Sequence, residues 1–304
     1  MVSNGNPLLR IIEKELEMAE AKIGVIGGTG LYEIEGMKHV QEIKVQTPFG
    51  DPSDAIIVGT LEGTNIAFLP RHGRGHRINP SELPSLANIY ALKSLGVEWI
   101  IAINSCGSFK EELKPRDLVI PDQIIDRTRG RISTFFGKGI VVHIPFAEPF
   151  CPVLSTVLYD AARAVGARVH KGGTFIAMEG PQFSTKAESR LYKSWGADII
   201  GMTVLPEAKL AREAEICYAT LACVTDYDSW HESLDPVRIE EILAILAENV
   251  GRAKAIIRLA AGRIPKERKC ECAGALATAI VTAPEMIPAQ VKKDLELLIG
   301  KYVK

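Results

Sequence analysis

The chain has 304 residues, 47% of them hydrophobic and 24% charged, ordinary globular proportions that exclude intrinsic disorder. Its 26 glycines and 17 prolines are too few for a collagen-like or low-complexity architecture. A formal net charge of −1 gives no global basic field to collect nucleic acid or anionic lipid, so function has to reside in a local site.

Asn6-Pro7 followed by Leu8, Ile12 and Leu16 predicts a capped amphipathic helix, an extension over residues 1–21. Lys22–Ile26 reads as a buried strand running into Gly27-Gly28-Thr29-Gly30. Further apolar, β-branched runs follow at Ala55–Val58, Asn65–Leu69, Trp99–Ile103, Asp117–Ile120, Phe175–Met178, Ala197–Met202 and Cys217–Val224. Most are continuous rather than alternating, the pattern of strands covered on both faces. Between them lie helices at Ser85–Leu95, stopped by Gly96, and after Thr185-x-x-Glu188, a capping box with Ala187, Leu191 and Trp195 on one side. A long amphipathic helix is expected over Val237–Leu259, an exposed basic linker after Pro265, and a last helix over Pro288–Lys301. Strands alternating with helices predict a single α/β domain with a central mixed sheet over residues 22–264, followed by a tail over 265–304.

No run approaches the roughly 18 apolar residues of a membrane span. Met1-Val2-Ser3-Asn4 has neither the basic region nor the apolar core of a signal peptide, so the expectation is a cytoplasmic protein with reduced thiols. The six cysteines form no disulfide scaffold. Cys270-Glu271-Cys272 reads as two free thiols, because a bridge between residues two apart is strained and a zinc site lacks two further ligands nearby in the sequence.

Several polar loops follow apolar strands, where α/β sheets place ligands. The glycine-rich turn around Thr29 offers backbone N–H groups and a hydroxyl to an anion, although it matches neither a dinucleotide fingerprint nor a Walker loop. Arg71-His72-Gly73-Arg74-Gly75-His76-Arg77 is a cation cluster suited to an oxyanion or else a solvated basic turn, and its glycines argue against a helical His72/His76 metal pair. Asn104-Ser105-Cys106-Gly107-Ser108 reads as a small polar ligand loop; Cys106 as a nucleophile competes with Cys106 as a buried thiol. Glu179-Gly180-Pro181-Gln182-Phe183-Ser184 brings a carboxylate, an aromatic ring and a hydroxyl. In Thr225-Asp226-Tyr227-Asp228, carboxylates at i and i+2 of an extended segment face one way, or else form an Asx turn and a cap. Anion donors, an aromatic platform and an acid pair fit transfer of a sugar from a nitrogen-rich base to phosphate.

These motifs, with Thr47-Pro48-Phe49-Gly50, the run His143–Cys151, Gly201-Met202-Thr203 and Ser229-Trp230, occur in an order that resembles the methylthioadenosine phosphorylases of the purine nucleoside phosphorylase family. The resemblance covers about residues 22–260. It implies phosphate binding by Thr29, Arg71, His72, Asn104, Ser105 and Thr203. It implies that Met202 lies against the ribose and Phe183 on the purine, with Ser184 a specificity position. Asp226 and Asp228, with Tyr227 between them, would hold the adenine edge, Asp226 as the catalytic acid. His143 would reach a neighbouring subunit's methylthio pocket, which Ile239 helps to line. The family's pattern further implies a homotrimer with phosphate as co-substrate, no metal and no cofactor. Asn104-Ser105 departs from the Thr-Ala common in relatives. Two alternatives stay open: a phosphorylase for methylthioinosine or general purine nucleosides, and a non-catalytic nucleoside-binding protein on the same fold.

Overall fold

The computed structural model describes residues 20–28, 31, 35–231 and 239–303. Residues 1–19 of the expected N-terminal helix lie outside them. The described strands are β1 (Ile23–Gly27), β2 (Lys38–Ile43), β3 (Ile56–Leu61), β4 (Thr64–Pro70), β5 (Trp99–Ser108), β6 (Leu118–Ile120), β7 (Gln123–Arg127), β8 (Val169–Lys171), β9 (Thr174–Met178), β10 (Ile199–Gly201) and β11 (Cys217–Tyr227). They join in one mixed sheet ordered β2-β3-β4-β1-β5-β10-β9-β7, with β11 on β5 and β6, and β8 on β6. Strand β5 is the hub, parallel to β1 and β11 and antiparallel to β10 at its last residues.

Continuous apolar strands need cover on both faces, and helices supply it. On one face Ile26, Leu69, Ile100, Ala102 and Val224 pack with α1 (Ser85–Ser94), and with α4 (Glu207–Glu213). On the other, Val25, Phe68, Ile101 and Leu221 pack with α2 (Pro152–Ala164) and α5 (Ile239–Ala261). Helix α3 (Lys186–Ser194) begins at the expected capping box: Thr185 Oγ1 accepts from the Glu188 N–H at 3.2 Å, and Glu188 Oε2 accepts from the Thr185 N–H at 2.9 Å. Leu191 and Trp195 on that helix are 46% and 47% exposed, so its apolar side is left uncovered within the single chain.

The tail after Pro265 is part of the body. Its expected last helix divides at Leu295 into α6 (Ala289–Asp294) and α7 (Glu296–Ile299), and the break turns Leu298 and Ile299 into the first core. Upstream, Ile280 bridges Val142, and the His143 N–H donates to Ala279 O at 2.9 Å. Two strands are longer than their apolar runs predict. Asn104–Ser108 and Thr225–Tyr227 read as loops, yet continue β5 and β11, because all but Thr225 keep ladder partners on the other strand. No described helix is long and apolar enough to cross a membrane.

Candidate active site

Strands β1 and β4 run parallel and end together, Gly27 opposite Pro70. The next residue, Arg71, donates its N–H to Gly27 O at 2.9 Å, which brings the basic loop against the glycine-rich turn. Thr29 itself lies outside the described residues. The Arg71 guanidinium is 2% exposed and forms a bidentate pair with Glu207 of α4, Nε to Oε1 at 2.6 Å and Nη2 to Oε2 at 3.0 Å. It also donates to Ile103 O and Ile26 O. Burial opposes the Arg71 charge and the Glu207 carboxylate more than offsets it, raising the pKa. The fork expected to clasp an anion is therefore spent on Glu207, and of the five N–H groups one on Nη1 is left over by these bonds. Sequence reading missed Glu207, 136 residues away, and no local signal points to it.

His72 lies beside this pair, its Nδ1 2.8 Å from Ile78 O and its ring stacked on His76 at 4.2 Å. A carbonyl only accepts, so Nδ1 carries the hydrogen and Nε2 presents a lone pair when the ring is neutral. Burial lowers its pKa to about 4 against the pull of Ile78 O, with help from Arg71 and His76, so the ring is uncharged at neutral pH. It contributes an acceptor, where the sequence suggested a cation. Asn104, 2% exposed on β5, donates from Nδ2 to Thr203 Oγ1 at 2.6 Å and accepts at Oδ1 from the Thr220 hydroxyl at 2.5 Å. Thr203 thereby keeps its own hydroxyl hydrogen for another acceptor. Ser105 is exposed beside it. Cys106 is buried, and burial pushes its pKa well above the ordinary range, which removes it as a nucleophile.

The acid pair hangs on the same strand. Val224 pairs with Cys106 and Asp226 with Gly107, so Thr225 is an extra residue bulged out of the ladder. A side chain at Gly107 would meet Asp226 Oδ2 at 3.1 Å and Asp228 Cβ at 3.3 Å; both carboxylates stand over this glycine. Asp226 Oδ1 accepts from the Thr225 hydroxyl at 2.6 Å. Burial raises Asp226 to about 6; the Thr225 hydroxyl opposes the rise and the neighbouring Asp228 adds to it. Asp228 is 5% exposed and likewise raised by burial, against the Ser189 side chain, the Ser229 N–H and the Ser184 side chain, and its Oδ2 has no partner within full hydrogen-bond distance. A buried acceptor left unpaired costs stability; it is suited to an amine donor from a ligand.

Tyr227 alternates to the other face of β11, where its hydroxyl donates to Glu111 O at 3.0 Å and its ring stacks on His231 at 4.8 Å. It is not brought to the acid pair. Ser184 is buried, its carbonyl accepting from the Ser229 hydroxyl at 2.9 Å, while Phe183 is 55% exposed. Met202 is half-buried, its carbonyl held by Arg131 Nη1 at 2.6 Å. Arg131, a residue the sequence did not single out, also binds Glu179 Oε1 at 3.2 Å, Leu205 O at 2.8 Å, and the Glu179 carbonyl. It ties the Glu179 and Met202 loops together. Ile239 begins α5, and its side chain lies outside the described residues. His143 is exposed on a loop pinned to the tail rather than joined to the acid pair.

The run around Phe146 and Phe150 is not an exposed patch: Phe150 is 3% exposed and stacks near Tyr218, and Phe146 packs on the first core. The exposed apolar side chains beside His143 are instead Val141 and Val281, whose backbones bond at 2.9 Å.

Residues 22–261 match the family described as the phosphorylase superfamily. The chain belongs to the phosphorylase superfamily. Within it, the S-methyl-5'-thioadenosine phosphorylase of Geobacter sulfurreducens is 58% identical over 93% of this chain and 100% of its own length. The enzyme of the same name from Koribacter versatilis is 54% identical, over 93% and 97%. A methylthioadenosine phosphorylase sourced from an Antarctic soil metagenomic library superimposes with a TM-score of 0.89 at 47% identity, covering 92% of this chain and 99% of that one. A methylthioadenosine phosphorylase from Schistosoma mansoni, in complex with adenine, has a TM-score of 0.76 at 35% identity, covering 92% and 98%. The single α/β domain expected from the strand pattern is the phosphorylase-superfamily fold.

Proposed function

We infer that this chain is a pentosyltransferase that cleaves S-methyl-5'-thioadenosine with inorganic phosphate, releasing adenine and 5-methylthioribose 1-phosphate for purine and methionine salvage. The observation that carries the reading is the acid pair over Gly107, with a carboxylate oxygen of Asp228 buried and unpartnered. A 6-amino purine supplies the donor that this oxygen lacks; a 6-oxo purine presents a second acceptor. Full-length identity to relatives bearing the methylthioadenosine name supports the same substrate.

Thr29, Arg71, His72, Asn104, Ser105 and Thr203 form the phosphate site in this reading. Thr203 and the remaining Arg71 N–H donate to the anion, and neutral His72 accepts the hydrogen of hydrogen phosphate. Arg71 thus acts chiefly through fixed charge and by organising the loop. A phosphate oxygen attacks C1′ as the C1′–N9 bond breaks and its electron pair passes to the purine. Asp226, in the fraction of sites where it holds its proton, delivers that proton toward N7, and the hydrogen that phosphate loses balances the one adenine gains. Met202 backs the ribose, and Phe183 covers the base beside Ser184. Holding the two reactants in line accounts for much of the rate. No cofactor enters this chemistry. The chain works as a cytoplasmic homotrimer, with His143 and the Val141–Val281 surface meeting a neighbour and Ile239 completing the methylthio pocket.

The decisive experiment follows release of the free base, adenine or hypoxanthine, from methylthioadenosine, adenosine and inosine with and without phosphate. Release is expected to need phosphate strictly and to favour methylthioadenosine over inosine; equal release in phosphate-free buffer would make the protein a hydrolase and overturn the reading. An active monomer by light scattering at assay concentration would remove the role given to His143.

A further inference from the structure

Away from the acid pair, four of the six cysteines meet in one place. Cys151 caps the start of α2, its N–H bonded to Tyr218 O at 2.8 Å. Cys217 opens β11, its N–H bonded to Glu98 O at 2.9 Å. Cys270 and Cys272 flank Glu271 at the short turn that begins the tail. All four sulfurs lie within 4.8 Å of one another, and Cys217 Sγ is 3.2 Å from Cys270 Sγ. Nearby sequence offered Cys270 and Cys272 no further ligands; the fold supplies them from residues more than fifty positions upstream.

We propose that Cys151, Cys217, Cys270 and Cys272 form a structural tetrathiolate site for a zinc ion, which clamps the C-terminal tail to the central sheet. A tetrahedral ion with zinc–sulfur bonds of about 2.3 Å spaces its ligands roughly 3.8 Å apart; the sulfurs here stand between 3.2 Å and 4.8 Å from one another, within about 1 Å of that spacing. An all-thiolate donor set selects zinc over the hard cations magnesium and calcium. Cys151, Cys217 and Cys272 are at most 3% exposed and Cys270 is half-buried, so the site is largely shielded from water, as structural rather than catalytic zinc sites are.

Charge is arranged to suit. The four-sulfur shell bound to a divalent ion carries two negative charges. The positive end of the α2 dipole at Cys151 and the Arg212 guanidinium, which acts on Cys272, offset them. Loading displaces the thiol protons to solvent and leaves no sulfur oxidised. A Cys270–Cys272 disulfide would instead close a strained ring between residues two apart.

The test uses the full chain purified without chelator. Metal analysis is expected to find about one zinc per chain, released by a mercurial in step with four of the six thiols. Replacement by cobalt(II) is expected to give the intense visible bands of a tetrahedral tetrathiolate, a readout that needs no variant. Cys217→Ser and Cys272→Ser are expected to lose the metal, and Cys223→Ser, outside the cluster, to retain it. Stripping the zinc is expected to lower the melting temperature while phosphate-dependent adenine release, where it survives, keeps its substrate order. A chain carrying less than a tenth of an equivalent after growth in zinc-supplemented medium, or one whose mass has fallen by the four hydrogens of two disulfides, would overturn the proposal. So would a loaded cobalt protein with octahedral spectra.

Discussion

At Asp226 the chemistry turns on one proton. With the carboxyl raised to about 6, kcat/KM for methylthioadenosine is expected to fall as pH rises through that value, because the free site loses its acid. Asp226→Ala should lower turnover by roughly 10²–10⁴. Asp226→Asn keeps a donor of similar shape but must oppose the 6-amino group with one mismatched contact, worth about 1–3 kcal/mol. The preference for methylthioadenosine over methylthioinosine should then drop one or two decades, and the limb near pH 6 should vanish. An unchanged ratio would show that the acid pair does not read the base. Asp228 predicts opposite signs for two measurements. Its unpartnered oxygen is a stability cost in the empty protein, so Asp228→Asn should raise the melting temperature while weakening adenine binding, with the phosphate KM within a few-fold. Calorimetry and adenine titration on the same sample check both.

Among elements, the Arg71–Glu207 pair decides how β4 and α4 meet. Removing one partner of such a buried pair costs about 3–5 kcal/mol because the other charge stays behind. Glu207→Ala should therefore melt far earlier than wild type, and Arg71→Lys should rescue little, since an ammonium cannot reproduce the fork. Arg71→Ala should raise the phosphate KM and lower stability together, so kinetics alone would misassign it. This pairing also marks where sequence reading stops. Buried strands such as β1, β4 and β11 were legible because unbroken apolar runs admit few alternatives. The capping box at Thr185 was legible because its signal is local. Asn104–Ser108 looked like a loop because small polar residues carry no strand signal; pairing with β11, and with β10 at Gly107 and Ser108, keeps them in β5. The neutral state of His72, the gathering by Arg131 and the four-sulfur cluster depend on tertiary contacts that spacing does not encode. Tyr227 was drawn into the site by its neighbours' identity, and strand alternation sends it elsewhere.

For the whole molecule, pH acts through buried acids. Burial raises Glu213 to about 7, against the Phe135 N–H at 2.7 Å, the Thr134 hydroxyl and Lys209. The folded chain thus holds a proton that the unfolded chain, at its ordinary value of 4.5, has already released. Its contribution to stability is complete below 4.5 and is lost as pH rises through 7; Asp226 adds the same sign between 3.8 and about 6. Melting temperature should fall across this window in wild type and flatten in Glu213→Gln, as scanning calorimetry at several pH values would reveal. The tail has a consequence for how the protein is made. A ribosome delivers the chain from its N-terminus, so β1 through α5 emerge before Leu276, Ile287, Leu295, Leu298 and Ile299 exist to close the first core. Until those residues are made, that apolar face is open to water and to chaperones, and the His143 loop has no Ala279 to rest on. A nascent chain of this protein therefore cannot close its first core until the codons through Ile299 are read.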